Sequence, residues 1–440
     1  MKIRYLNWNS IFPSQKKQVL KRPTQLRKKD FTERVRNILE SVRNEGDKAL
    51  FRFTSEFDEV QVSDLRVSPE EIQAAYQQVS QATLSALKDA IQRISRFHEA
   101  QMPKPISIET SKGILCERRF IPIDRVGLYI PAGTAPLPST VLMLGIPSRI
   151  AGCKQRILVT PPRKDKTIDP NILVAADLVG IHEIYKIGGA QAIGALAYGT
   201  ESIAKVLKIF GPGNSWVTEA KLQVSLDPEG ASSDLPAGPS EVMVIGDEKA
   251  NPAFVAADLL SQAEHGSDSQ VIFVSTSKQC IDRVQVELEY QLQQLPRRAL
   301  AEASLENSLL IEVKSIQEAL EICNDYAPEH LILQIQNARE FSFQIESAGS
   351  VFLGEWTPES AGDYASGTNH VLPTSGFAKA SSGLTTESFM KTITFQEITQ
   401  QGLSEIGPTL SELARIEGLD GHRNSVLIRT RENKQGNTFL

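Results

Sequence analysis

Residues 241–275 read EVMVIGDEKANPAFVAADLLSQAEHGSDSQVIFVS. Both ends, 241–246 and 270–275, are runs of Val, Ile, Met and Phe with little polar alternation, as expected of strands buried on both faces. Between them Asn251 stands as an N-cap, Pro252 fills the first helical position, and Gly266 follows the last apolar repeat, so the spacing predicts a helix over 252–265. Strand, helix and strand at this spacing make a βαβ unit, and such units need a parallel sheet covered on both sides.

The same alternation continues outward. Strands are predicted at 308–313 and 349–353, with helices at 277–294 and 315–325. An earlier series has strands at 126–130, 156–160, 183–187 and 205–209, each followed by a Gly/Pro turn and a helical stretch. The turn-rich SDLPAGPS, 233–240, separates the two series. Residues 30–102 read as helical, with Asp30 as a cap, Gly46 as a stop, and a capping box of Ser68 and Glu71 around Pro69. A hairpin is expected around 111–113, and beyond about residue 380 the strand signal gives way to a small helical tail. The fold class is therefore α/β: two doubly wound, incomplete Rossmann-like sheet domains with small helical N- and C-terminal segments. The expected divisions are an arm at 1–24, a discontinuous domain of 25–129 plus 238–380, a second domain at 130–237, and a C-terminal segment at 381–440.

At 440 residues, 41% hydrophobic and 23% charged, the chain suits a soluble protein of several domains. A net charge of -6 argues against nucleic acid or a membrane surface as partner, since both demand a basic field. Residues 1–30 do carry nine Lys/Arg against one acid, a composition that reads as a solvated or partner-docking arm. No apolar stretch is long enough for a signal peptide or a membrane span, and a cytoplasmic location is expected. Cys116, Cys153, Cys280 and Cys323 are isolated, with no CxxC pair, and read as reduced core residues.

Chemistry gathers around four of the six histidines. Gln262 and His265 are three apart at a helix end, where they converge; together they could hold a cation, and on this pair alone a C-terminal helix cap is the simpler reading. Glu329 and His330 stand at an element end, where an acid/base pair suits oxidation of an alcohol or hydrolysis, and where Pro-Glu-His is as often a helix-start device. The stretch 354–374, with Asp363 and His370, is rich in Gly and hydroxyls and poor in apolar anchors, as binding loops are. His422 lies alone in the tail. G-x-G-x-x-G is absent; Gly188-Gly189 and Gly211-Pro212-Gly213-Asn214 are partial substitutes for presenting backbone amides to a phosphate.

Taken together, the blocks VGLYIPAG (126–133), GGAQAIGALAYGT (188–200), KIFGPGN (208–214), PAGPSEV (236–242), DLLSQAEHG (258–266), NDYAPEHL (324–331) and GSVFLGEWTPESAGDYASGTNHVLPT (349–374) resemble the L-histidinol dehydrogenase family, in order, from about residue 30 to about 430. That resemblance implies two successive NAD-dependent oxidations, L-histidinol to histidinaldehyde to L-histidine, closing histidine biosynthesis. It implies one Zn2+ per subunit held by Gln262, His265, Asp363 and His422, with His330 as the base and Glu329 activating water. Ser240, His370 and Glu417 would join the zinc ligands and His330 as substrate contacts, and Tyr129, Gln191 and Asn214 would contact NAD. The family is a homodimer whose C-terminal segments cross, so Glu417 and His422 would complete the partner's site. Gly421 departs from the alanine expected before His422, without removing a functional group. The rivals are a zinc hydrolase and a dimer in which metal serves only to join subunits; a Glu-His pair has no use in the second.

Overall fold

The two series of apolar runs become two parallel sheets. The computed structural model describes residues 3–23, 29–132, 135–235 and 237–430. Its chain forms two units, Met1–Gln101 with Ile123–Phe389, and Met102–Pro122 with Met390–Leu440. Lys2, Arg27 and Lys28 of the basic segment, Gly133, Pro236 and the tail past Thr430 lie outside the described residues.

In the first unit, six parallel strands lie in the order Arg4–Asn7, Leu309–Glu312, Gln270–Ser275, Glu241–Gly246, His330–Gln334 and Ser350–Leu353. Glu241–Gly246 and Gln270–Ser275 coincide with their predicted spans, and every residue of both is buried. The cause is visible in the pleat. Val242 and Val244 pack under the helices Pro252–Ala263 and Lys278–Leu292, while Met243 and Ile245 face the helix Ile316–Tyr326.

Five further parallel strands run Glu183–Lys186, Gln155–Thr160, Arg125–Tyr129, Lys208–Phe210 and Ser232–Ser233. The helices Lys29–Glu45 and Asp47–Phe57, expected with the domain of 25–129 plus 238–380, instead share a core with this sheet through Val35, Leu39, Leu50 and Phe53. Strand Arg125–Tyr129 is its central member. In both sheets the chain extends to one side and then returns to place its next strand on the other, which creates a topological switch point. In the five-stranded sheet that point lies between Arg125–Tyr129 and Lys208–Phe210. The strands approach closely just beyond it: at Gly211, φ +122°, a Cβ would sit 2.2 Å from the Tyr129 carbonyl oxygen.

Several expectations give way. Residues 4–7 are an edge strand of the six-stranded sheet, with Trp8 buried behind it, where a solvated or partner-docking arm was expected. Asp30 lies within the first turn of Lys29–Glu45 and does not cap it. Glu329-His330 opens no helix: left-handed Ala327 (φ 53°) ends the preceding helix, Pro328 follows, and His330 begins a buried strand.

In the second unit the expected hairpin forms from Ile106–Ser111 and Ile114–Pro122, and it is joined antiparallel by Met390–Ile398, a nine-residue strand where a helical tail was expected. Its residues are almost all exposed, so it lacks the continuous apolar run that marks the buried parallel strands. The helices Gln400–Ile416 and Asp420–Thr430 follow. Among the described residues no helix is long and apolar enough to cross a membrane. Cys153, Cys280 and Cys323 are free and buried as expected, whereas Cys116 is only half-buried.

Candidate active site

Two neighbouring strands of the six-stranded sheet, Glu241–Gly246 and His330–Gln334, bring their amino ends together, and one side chain organises them. Arg22 donates to both carboxylate oxygens of Glu241, at 2.5 and 2.9 Å, and to the Tyr326 carbonyl at 2.9 Å. Glu241 is thereby held, and its backbone holds the pair that follows. Its N–H donates to Glu329 Oε2 at 2.9 Å, and its carbonyl lies 3.1 Å from His330 Nδ1. A carbonyl can only accept, so Nδ1 carries the proton and a neutral His330 presents Nε2 as a base.

His330 Nε2 is buried and has no hydrogen-bond partner. It lies 3.6 Å from Asp363 Oδ1 and 3.8 Å from Glu359 Oε1, both on the short helix Glu359–Tyr364. Burial disfavours its imidazolium, but Glu329, 3.6 Å from Nδ1, and then Asp363 and Glu359 outweigh this and raise it to about 10. Burial lifts the Glu329 carboxyl to about 8, against the opposing charge of His330. Against burial, which would raise it, the His330 imidazole holds Asp363 below the usual carboxylate range.

Gln262, in the last turn of Pro252–Ala263, is fully buried; its amide nitrogen donates to Glu359, which also accepts from Ser261 Oγ at 2.7 Å. The Gln262 Oε1 atom is left with no partner. A buried amide oxygen without a donor fits a ligand to a cation, and with imidazole and carboxylate beside it the donor set is nitrogen and oxygen, without thiolate. Among the described residues, ligand atoms of His330, Glu359 and Asp363 also lie within 4.8 Å of one another. The helix ends at Ala263, so His265 sits just past it, with its N–H on the Gln262 carbonyl at 3.2 Å and its side chain exposed.

Ser240, Gln262, His265, Glu329, His330, Asp363 and His370 line one cavity of about 300 Å3. His370 is fixed at both nitrogens, Nδ1 donating to the Asp363 carbonyl at 2.9 Å and Nε2 accepting from Thr140 Oγ1 at 3.1 Å. Glu417 and His422 belong to the second unit: Glu417 follows the helix Gln400–Ile416, His422 lies in Asp420–Thr430, and both are exposed. Glu359 is the residue that sequence reasoning missed. It follows Pro358 at the first turn of a helix, a place where an acid ordinarily serves the helix dipole, so nothing in the sequence marks it.

A second cavity, about 950 Å3, opens at the carboxyl edge of the five-stranded sheet, where α/β sheets receive nucleotides. Tyr129 ends the central strand and its hydroxyl accepts from Gly189 N at 3.2 Å; Gly189, φ 65°, opens the helix Gly189–Tyr198. Gln191 is 1% exposed, and neither of its amide atoms has a partner. The Asn214 side-chain oxygen caps the helix Ser215–Leu226 through Trp216 N and Val217 N at 3.0 and 3.2 Å. Tyr129, Gln191 and Asn214 all line this cavity, and Pro131 and Asn214 line both cavities.

The histidinol dehydrogenase family model matches residues 20–430. The histidinol dehydrogenase of Aliivibrio fischeri is 51% identical over 427 residues, 97% of this chain and 96% of that one. That of Xanthomonas euvesicatoria pv. vesicatoria is 50% identical over 97% of this chain and 99% of its own. The crystal structure of histidinol dehydrogenase from Elizabethkingia anophelis superposes with a TM-score of 0.94 at 47% identity, covering 98% of this chain and 99% of that chain. With cavity, orphaned donors and sequence in agreement, the chain belongs to the histidinol dehydrogenase family.

Proposed function

We propose that this protein is a zinc-dependent four-electron oxidoreductase that converts L-histidinol, with two NAD+ and one water, into L-histidine by way of histidinaldehyde. The observation that carries the reading is the free Nε2 of His330, aimed into a cavity whose wall is shared with a nucleotide-type cavity at a sheet switch point. Family membership supports histidinol as the alcohol.

Gln262, His265 and Asp363 would hold zinc, with His422 supplied by the partner subunit. Zinc there would anchor the substrate's imidazole and amine and offset the charge of Asp363, one of the three carboxylates with Glu329 and Glu359 that keep His330 protonated, and NAD would accept the hydride. His330 Nε2 takes the hydroxyl proton as hydride leaves the adjacent carbon. An aldehyde cannot lose hydride to become an acid until it is hydrated. Glu329, whose carboxyl burial lifts to about 8, is in its ionised form a stronger base than an ordinary glutamate, and in that form it takes a proton from the attacking water. With its first proton passed to solvent, His330 would take a hydroxyl proton from the gem-diol, and a second NAD+ would accept the hydride. Ser240, His370 and the partner's Glu417 complete the substrate's surroundings.

The dimer is supported by the second unit's surface, where Ile108, Ile393, Phe395, Leu413, Ile416 and Ile428 are exposed. A cytoplasmic location agrees with free cysteines throughout. The test is a pair of variants. His330→Asn should slow both oxidations with zinc retained, and Glu329→Gln should chiefly slow oxidation of added histidinaldehyde; wild-type rates in both would refute the roles.

A further inference from the structure

Asp58 follows the helix Asp47–Phe57 and lines the 950 Å3 cavity together with Tyr129, Gln191 and Asn214. Its Oδ2 is buried without a partner, and burial lifts the carboxyl to about 6, so it is ionised at neutral pH. The charge reaches the neighbouring site, since it helps to suppress ionisation of the Tyr129 hydroxyl. A buried carboxylate oxygen without a donor is costly unless a ligand supplies one. Gln191, with both amide atoms equally unpartnered on the same wall, is an independent sign that the ligand is polar and offers donors and acceptors.

The position of Asp58 identifies which part of a dinucleotide it meets. Pro131 and Asn214 are common to this cavity and the reaction cavity, so the nicotinamide end must pass them; Asp58 lines only the larger cavity, which must take the rest of the dinucleotide. The end remote from the chemistry carries the adenosine ribose. A carboxylate accepts from both hydroxyls of a vicinal diol and repels a phosphate in place of one of them. The cations nearby are already engaged. Lys164 donates to Glu59 at 2.6 Å and to the Asp58 carbonyl at 2.9 Å, Arg163 pairs with Asp165, and Arg34 lies over the Trp216 ring at 4.9 Å.

We infer that Asp58 binds the adenosine ribose diol of NAD and is the residue that excludes NADP. The inference rests on the NAD reading above. It is tested by titrating the zinc-loaded protein and its Asp58→Asn and Asp58→Ser variants with NAD+ and NADP+ separately, following tryptophan fluorescence and calorimetry, with thermal unfolding as a check of folding. Wild type should bind NAD+ in clear preference to NADP+. Both variants should lose about 10- to 100-fold in NAD+ affinity while NADP+ binding holds or improves, so that the preference collapses. Variants that keep the wild-type preference overturn the role of Asp58 and leave NAD dependence intact. A wild-type protein that binds neither dinucleotide overturns the cofactor reading and this inference with it.

Discussion

Two adjacent residues, Glu329 and His330, owe their different chemistry to one backbone. Glu241 offers an N–H to the carboxylate and a carbonyl to the imidazole, so the first is held as an acceptor and the second keeps its Nδ1 proton, which leaves Nε2 as the nitrogen that exchanges one. Removing the base by His330→Asn is therefore expected to cost about 10²- to 10⁴-fold in both oxidations. Glu329→Gln keeps an acceptor for Glu241 N and loses only basicity toward water, which confines its cost to the hydrated step. At this scale much was legible: Gln262, His265, Glu329, His330, Asp363 and His370 were all singled out from the chain, and the structure gathers them around one cavity. Glu359 was not, because what ties it to the site is its hydrogen bond with the Gln262 amide, a relation between residues 97 positions apart that no spacing reveals. Arg22 was read as part of a solvated basic arm, for the same reason: its partner Glu241 is 219 residues away.

The stretch 354–374, which carries Asp363 and His370, is fastened by elements remote in sequence. Asn369 donates to the Met143 carbonyl at 2.7 Å and approaches His98 Nε2 at 3.4 Å, while His98 Nδ1 lies 3.3 Å from Thr386 Oγ1. His98, in the last turn of the helix Gln81–Ala100, is fully buried, and burial lowers its pKa to about 4. The unfolded chain binds a proton at this histidine near the ordinary value, so the contribution of a neutral His98 to stability is complete above about pH 6.5. It falls as the pH drops toward 4, by on the order of 3 kcal/mol. Thermal unfolding of wild type and His98→Asn from pH 7 to pH 4 should show the wild type losing more of its stability; parallel curves would exclude a buried neutral histidine. Trp356 and Tyr364, the two large aromatic residues of the stretch, are exposed, Trp356 at 80%. Buried polar side chains do the anchoring, and a hydrophobicity pattern is blind to them. Most parallel strands were legible since burial on both faces leaves continuous apolar runs; His330–Gln334, equally buried, was masked by the helix-start look of Pro-Glu-His, and the exposed Met390–Ile398 carries no such run.

For the whole molecule, the α/β class followed from the rhythm of apolar runs, and the placement of each sheet's switch point required strand order, which the chain does not spell out. The five-stranded sheet offers its carboxyl edge to one cavity, and the six-stranded sheet offers the amino ends of two strands to the other. Three of the four expected zinc ligands stand in the first unit and His422 stands in the second, which makes subunit exchange a direct probe of the proposed dimer. His330→Asn and His422→Asn homodimers should each be nearly inactive. Dissociated and reassociated together, they should recover roughly a quarter of wild-type activity, because a hybrid dimer contains one site with both residues intact. No recovery, with hybrids formed, would mean that His422 serves its own chain's site. The central claim, a four-electron oxidation that requires zinc, is tested most directly by counting NADH formed per L-histidinol consumed, before and after chelation and again after zinc is restored. The expected result is two NADH per histidinol, lost with the metal and regained with it; one NADH with aldehyde accumulating, or none, would contradict it.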